Sequence, residues 1–144
     1  MGFEKFGRTS FTAVTKTAKF VELLAEGKVE GTVCRDCGAK FFPPRADCAK
    51  CFSKNTDWFE MPQMGRLETF TTAYYAPFGF ETDPPYTMGV VDFGGGLKLF
   101  ARLEKGIKPE EVKVGMDVKI RPLKYDDQQL SFEITKACPL ENPR

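Results

Sequence analysis

The chain contains no histidine among its 144 residues, and this absence excludes several kinds of active site. Histidine is the commonest general base and the activating partner in Ser-His and Cys-His pairs, and it is a frequent metal ligand and pH switch. An enzyme could still use Asp, Glu, Lys, Tyr or Cys. No two carboxylates are placed by a motif to act together, so we predict no catalytic residues in this chain.

Long apolar runs and an excess of one charge are also lacking. The longest apolar run is only a few residues, whereas a membrane-spanning helix needs about 20. Residues 1–17 lack the apolar segment of a secretory signal, so we expect a cytoplasmic protein. The formal net charge is +1, from 21 Lys and Arg against 20 Asp and Glu, which disfavours nucleic-acid binding.

The chain has enough hydrophobic residues to form the core of one ordinary domain or of two small ones. Hydrophobic residues make up 42% of the chain and aromatic residues 13%. The patterning predicts four segments: an extended arm (1–16), a helix with a metal ribbon (17–60), a β domain (61–138) and a tail (139–144). In the second segment, residues 18–26 read as a short helix that Thr17 caps and Gly27 ends.

Four of the five cysteines form two Cys-x-x-Cys pairs, which we call the first and second knuckles, at Cys34–Cys37 and Cys48–Cys51. Two such pairs at short separation can place four thiolates around one ion. Four protein ligands close the coordination sphere, so the predicted site is structural rather than catalytic.

Three alternatives to a structural zinc site remain at this point. The knuckles could form two disulfides, although no secretory signal supports an oxidising compartment. They could be redox-active, although two pairs at this spacing are uncommon in redox proteins. Iron is the third alternative, because rubredoxin uses a similar pair of knuckles. We favour zinc.

The ribbon region carries a small local excess of positive charge. Residues 28–54 hold six Lys or Arg against three acidic residues, which gives +3 without a metal and +1 once four thiolates bind a divalent ion. This charge suits one small anionic ligand better than a phosphate backbone. The fifth cysteine, Cys138, is either a reactive thiol or a small apolar filler, and we favour the filler.

From Gly65 onward the pattern becomes β. Five alternating segments follow, with a short helical turn at Pro109 between the third and the fourth. In the first segment, Leu67 and Phe70 are an odd number of residues apart, so a bulge or bend is needed to bury both. The predicted fold is therefore mainly β: an N-terminal helix and a four-cysteine zinc ribbon followed by a five-stranded OB-fold barrel.

Aromatic residues cluster in two segments that have no secondary structure of their own. Three phenylalanines lie in the arm, and four aromatics lie within seven residues between the first two barrel strands. Either set could pack on its own chain, and the second could stack bases or an adenine. We predict that both sets form a partner interface: Phe3, Phe6, Phe11, Tyr74, Tyr75, Phe78 and Phe80.

The order of these features resembles a known family. Residues 17–137 are similar to zinc-ribbon/OB-fold proteins associated with acyl-CoA enzymes. The motifs that carry the resemblance are the helix, both knuckles, the Phe42-Pro43-Pro44-Arg45 segment between them and the barrel opening at 65–71. One departure is Phe52, because many members place glycine after the last cysteine.

The resemblance implies a non-catalytic subunit of a thiolase-type enzyme in a hetero-oligomer. The partner would carry the nucleophilic cysteine, and this chain would help to bind the CoA thioester or hold the complex together. The residues we expect to contact CoA are Lys40, Phe41, Phe42 and Arg45. A different class of function, single-stranded nucleic-acid binding, remains the alternative, because OB folds and four-cysteine ribbons also serve that role.

Overall fold

The computed structural model describes residues 2–7 and 14–137. These residues form one helix, α1 (Lys19–Ala25), and two 3-10 turns, Phe3–Lys5 and Pro109–Glu111. The strands, in chain order, are β1 (Glu30–Cys34), β2 (Lys40–Phe41), β3 (Thr56–Glu60), β4 (Gly65–Ala73), β5 (Tyr86–Asp92), β6 (Lys98–Arg102), β7 (Asp117–Lys124) and β8 (Leu130–Lys136). The mainly-β prediction is confirmed. Over the described ranges the strands number eight rather than five, because the ribbon contributes three of its own.

The chain divides into two compact units. The first comprises Met1–Pro62 and Arg121–Phe132, and the second comprises Gln63–Ile120 and Glu133–Arg144. Strands β7 and β8 therefore each contribute residues to both units. In the part of the chain that the structure describes, no helix is long and apolar enough to cross a bilayer.

Helix α1 begins without the predicted cap. Ala18 is the N-cap residue and no side chain caps the first turn. Thr17 instead lies within the preceding turn, where its carbonyl accepts the Phe20 N–H at 3.0 Å. The prediction of a Thr17 cap is therefore wrong, because Thr17 lies one residue too early.

The predicted end of α1 at Gly27 is confirmed. Gly27 has a φ of 83°, which glycine adopts without steric cost. Its N–H donates to the Leu24 carbonyl at 3.0 Å, and the Lys28 N–H donates to the Leu23 carbonyl at 2.8 Å. These two bonds are a Schellman motif, which satisfies the last carbonyls of the helix.

The first unit contains a three-stranded antiparallel sheet in the order β2-β1-β3. The central strand, β1, pairs along its whole length with β3, from Glu30 opposite Glu60 to Cys34 opposite Thr56. Because β1 ends at Cys34, the sheet fixes the position where the first knuckle begins.

The other sheet has five strands in the order β6-β5-β4-β7-β8, and β4, β5 and β6 belong wholly to the second unit. A parallel bridge joins Leu103, which directly follows β6, to Ile134 of β8. Five core side chains of the second unit are at most 2% exposed: Leu67, Val91, Leu99, Val118 and Ile134.

The predicted irregularity in the first barrel strand is a β-bulge. Leu67 lies opposite Val91 and Thr69 lies opposite Val90, so Glu68 is the extra residue. The bulge changes the side-chain parity of the strand, as the odd spacing of Leu67 and Phe70 required.

The bulge also brings the backbone of β4 close to Gly89 of β5. A Cβ added at Gly89 would lie 2.7 Å from Leu67 Cδ1 and 2.8 Å from the Thr69 carbonyl oxygen. No Cβ fits at these distances, so the two strands pair here only because residue 89 is glycine.

We expect Gly89→Ala to lower the free energy of unfolding by about 1–3 kcal/mol, the usual cost of overpacking. The matched control is Gly106→Ala, because a Cβ at Gly106 meets nothing within 4 Å. Urea denaturation of both variants would check this. Equal stability of Gly89→Ala and the wild type would contradict the register.

Candidate metal centre and ligand surfaces

The two knuckles have the same pattern of backbone hydrogen bonds. In the first, the Gly38 N–H donates to the Cys34 carbonyl at 2.9 Å, and in the second the Phe52 N–H donates to the Cys48 carbonyl at 3.0 Å. In each knuckle the N–H of the leading cysteine also donates to the carbonyl five residues later, at 2.9 and 2.8 Å. Equivalent turns therefore present the two pairs of sulfurs to each other.

The four predicted ligand atoms lie together. All four Sγ atoms are within 4.8 Å of one another. The Sγ atoms of Cys34 and Cys51 are 3.6 Å apart, as are those of Cys37 and Cys48. A Zn–S bond of about 2.3 Å gives a tetrahedral edge of about 3.8 Å, so the sulfur positions fit a tetrahedral ion. The four are free thiols, so the knuckles are not disulfides here.

The electrostatics of the cluster also favour a cation. Backbone N–H groups of Cys51 and Lys50 lie 3.4 and 3.3 Å from Cys48 Sγ, and they lower the pKa of that thiol to about 6. The backbone of Ser53 pulls the pKa of Cys51 down, but burial and the other cysteines raise it to about 12. Four adjacent thiolates thus need a positive ion between them, which a divalent metal supplies.

Polar contacts outside the sulfurs tie the first knuckle to the segment that follows the second. The Arg35 guanidinium pairs with the Asp57 carboxylate and lowers the pKa of that carboxyl group. The Asp36 carboxylate accepts hydrogen bonds from the Ser53 hydroxyl and, at 3.2 Å, from the Asn55 side-chain amide. Sequence reasoning missed these contacts, because nothing in the local spacing pairs residues that lie 17 to 22 positions apart.

The knuckles differ in the residue that follows their last cysteine. Gly38 has a φ of 75°, and Phe52 adopts the same left-handed region with a φ of 60°. This conformation is strained for a residue with a Cβ, whereas it is not for glycine. The Phe52 ring is 83% exposed, so no packing compensates the strain.

The predicted CoA contacts do not form one group. Lys40 and Phe41 are neighbours on β2 and so point to opposite faces of the sheet. Lys40 Nζ lies 5.1 Å from the centroid of the Phe59 ring, whereas Arg45 Cζ lies 5.4 Å from the centroid of the Phe41 ring. Phe42 lies in an aromatic cluster described below. Only Phe41 and Arg45 are brought together.

The segment that carries Arg45 is held by two threonines. The buried hydroxyl of Thr32 accepts the Arg45 N–H at 2.9 Å. The Thr56 hydroxyl donates to the Ala46 carbonyl at 3.1 Å. The ribbon sheet thus fixes the backbone beneath the guanidinium of Arg45, while its side chain remains exposed.

Two of the predicted interface phenylalanines pack on their own chain. Phe3 and Phe6 join Phe20, Phe42 and Phe132 in a group of rings that we call the phenylalanine cluster. The ring centroids of Phe42 and Phe132 are 5.1 Å apart, and those of Phe6 and Phe20 are 5.9 Å apart. Sequence reasoning favoured docking of these two rings on a partner, whereas in the structure they pack against apolar neighbours in the first unit. Both remain partly exposed.

The aromatic residues between β4 and β5 behave differently. Tyr74, Tyr75 and Phe78 are 69%, 89% and 97% exposed, so they do not close the barrel end. Phe80 is half-buried, and its ring centroid lies 5.9 Å from Arg102 Cζ. A partner interface at these residues remains a prediction. Phe11 and Cys138 lie outside the described residues.

Two family models match this chain in succession. Residues 21–57 match the rubredoxin-like zinc ribbon domain of ChsH2, and residues 58–121 match the C-terminal OB-fold domain of ChsH2. A DUF35 domain-containing scaffold protein of Methanocaldococcus jannaschii is 30% identical over 78% of this chain and 82% of its own length. The chain belongs to the DUF35 scaffold family.

Two further similar proteins are a thiolase subunit and a chain of an aldolase structure. Benzoylsuccinyl-CoA thiolase subunit BbsA of Thauera aromatica is 29% identical over 58% of this chain and 59% of its own length. Among solved structures, an Ltp2-ChsH2(DUF35) aldolase chain has a TM-score of 0.73 at 23% identity, covering 89% of this chain and 100% of that one. At that identity the structural match concerns the fold alone.

We expect Phe52→Gly to raise the free energy of unfolding by about 1 kcal/mol, because it removes left-handed strain at an exposed residue. Phe52→Val should lower it instead, since a β-branched residue fits this region worse. Urea denaturation gives both values, and both variants should bind metal as the wild type does. A loss of stability in Phe52→Gly would show that the ring, not the backbone, matters at this position.

Proposed function

We propose that this chain is a non-catalytic, zinc-containing accessory subunit of a thiolase-type acyl-CoA enzyme. The observation that carries the proposal is the closed set of four sulfurs at Cys34, Cys37, Cys48 and Cys51, which leaves no coordination position for a substrate. Histidine is also absent. Similarity to a thiolase subunit supports the choice of partner.

Zinc is the ion that suits the site best. Four thiolates in a tetrahedral arrangement accommodate Zn²⁺ or iron, and zinc brings no redox chemistry to a subunit with a structural role. Bound zinc would hold the two knuckles together and contribute directly to the folding free energy of the ribbon.

The thiolase-fold partner would supply the nucleophile and the stabilisation of the oxyanion. This chain would position the CoA thioester, so that part of the entropic cost of the reaction is met on binding. Arg45, stacked on Phe41 and held by Thr32, is the best-placed cation for a CoA phosphate. On the family resemblance, the small subunit of a benzoylsuccinyl-CoA thiolase is one candidate identity, and a cytoplasmic location remains a prediction.

A second candidate function is single-stranded nucleic-acid binding. The exposure of Tyr74, Tyr75 and Phe78 favours it, because exposed rings can stack on bases. The net charge of +1 disfavours it.

Native mass spectrometry of the full chain purified from its own cells tests the proposed function. We expect a complex with a thiolase-fold chain, one zinc ion for each copy of this protein, and a retained ligand of CoA mass. A lone 16.2 kDa species, or one that carries nucleic acid, would contradict the accessory-subunit proposal.

We expect Arg45→Ala to weaken binding of acetyl-CoA to the purified complex about 10-fold, because a charge-assisted contact to phosphate is lost. Lys54→Ala is the matched control, since Lys54 is another exposed cation of the ribbon region. Isothermal titration calorimetry with each variant gives the affinities. Equal weakening in both would mean that only the general charge of the ribbon matters.

A further inference from the structure

The sheet of the second unit has one side that faces away from its core. On β5, Thr87, Gly89 and Val91 are buried, so the alternate residues of the strand point outward. Strand pairing places outward residues of three strands in rows. One row is Thr69, Val90 and Phe100, and the next is Thr71, Met88 and Arg102.

The centre of this outer side is apolar. Phe100 is 63% exposed and pairs with Val90, which lies two residues from Met88 on the same strand. Tyr86 continues the row along β5, and Arg102 Cζ lies 4.0 Å from its ring centroid. Sequence reasoning missed these residues as a surface, because only the strand pairing shows that they share a side.

The β4–β5 connection carries further exposed rings, and it meets the outer side at Tyr86 and through the contact of Phe80 with Arg102. Tyr74 and Tyr75 directly follow β4, and the connection returns to the sheet at Tyr86. We call the combined surface the aromatic face, and it consists of Tyr74, Tyr75, Phe78, Tyr86, Met88, Val90 and Phe100.

An ion pair with one buried carboxylate anchors the connection that carries these rings. Arg102 Nη1 lies 2.7 Å from Asp83 Oδ2, and the Asp83 side chain is only 1% exposed. Backbone bonds from the Phe80 N–H to the Pro77 carbonyl and from the Asp83 N–H to the Phe80 carbonyl, both 3.0 Å, shape the turn. The chain thus folds the connection onto β6 through a buried carboxylate while leaving Phe78 exposed.

Three cations on the strands of this sheet have carboxylate partners within the chain. Lys98 Nζ lies 2.7 Å from Glu68 Oε1, and this contact raises the pKa of Lys98. Arg102 pairs with Asp83, as above, and Arg66 Nε lies 3.9 Å from Asp117 Oδ1.

This charge pattern decides between two classes of macromolecule. A surface that binds single-stranded nucleic acid presents unpaired cations beside its stacking rings. A surface that binds protein is enriched in Tyr, Phe, Met and Arg around an uncharged centre. The aromatic face has the second composition.

We propose that the aromatic face is the surface on which the thiolase-type subunit docks, with an apolar and uncharged patch of that subunit covering Tyr75, Phe78 and Phe100. The inference rests on the proposed function and adds to it the surface through which the complex forms. A second copy of this chain and an oligonucleotide are the other occupants that the test distinguishes.

The test compares the triple variant Tyr75→Ser/Phe78→Ser/Phe100→Thr with the wild type. Val114→Ser is the matched control, because Val114 is 66% exposed but is not part of the aromatic face. Each full-length chain is tagged, purified from its own cells and titrated against the thiolase-fold chain that co-purifies with the wild type. Circular dichroism and zinc content verify folding.

We expect the triple variant to bind the thiolase-fold chain at least 30-fold more weakly, because it loses central aromatic anchors. Val114→Ser should bind as the wild type does. Wild-type affinity in the folded triple variant would overturn it and leave the proposed function intact. If no thiolase-fold chain co-purifies with the wild type, both the docking inference and the proposed function are wrong. If the triple variant binds the thiolase-fold chain normally but no longer self-associates in light scattering, the face binds a second copy of this chain and the inference is overturned. If it binds the thiolase-fold chain normally but loses oligonucleotide binding, the face binds nucleic acid and the inference is likewise overturned.

Discussion

The structure of the first unit depends on the approach of four sulfur atoms to one another. Its sheet has strands of five, two and five residues, which is little secondary structure to support a fold. Small domains of this kind commonly draw folding free energy from a bound metal. The sheet, which sets the start of the first knuckle and holds the segment that carries Arg45, and the polar contacts around Asp36 surround this sulfur cluster.

Features that depend on neighbours in the sequence were predictable. The knuckle spacing predicted the sulfur cluster, and Gly27 predicted the end of α1. The odd spacing of Leu67 and Phe70 predicted a bulge or bend, and the structure has a bulge at Glu68. Each is a local constraint of backbone geometry. Thr17 shows the limit of such reasoning, because a shift of one residue turns a cap into part of the preceding turn.

Features that depend on tertiary pairing were not predictable. Phe6 packs against Phe132 near the other end of the described chain, and Asp83 pairs with Arg102 across 19 residues. Composition alone could not show that the cations beside Phe100 have carboxylate partners. The separation of Lys40 from Phe41 could have been predicted, however, since adjacent residues of a strand point to opposite faces. Arg45 lies over the Phe41 ring and is therefore on the face away from Lys40.

The phenylalanine cluster has a consequence for biosynthesis. Phe20 and Phe42 belong to the early part of the chain, whereas Phe132 is translated close to the end. On the ribosome, the four cysteines emerge close together and can bind a metal early. The Phe20 and Phe42 rings, however, cannot pack against Phe132 until the end of the chain has been made. The nascent ribbon therefore displays apolar surface during most of translation, when aggregation competes with folding.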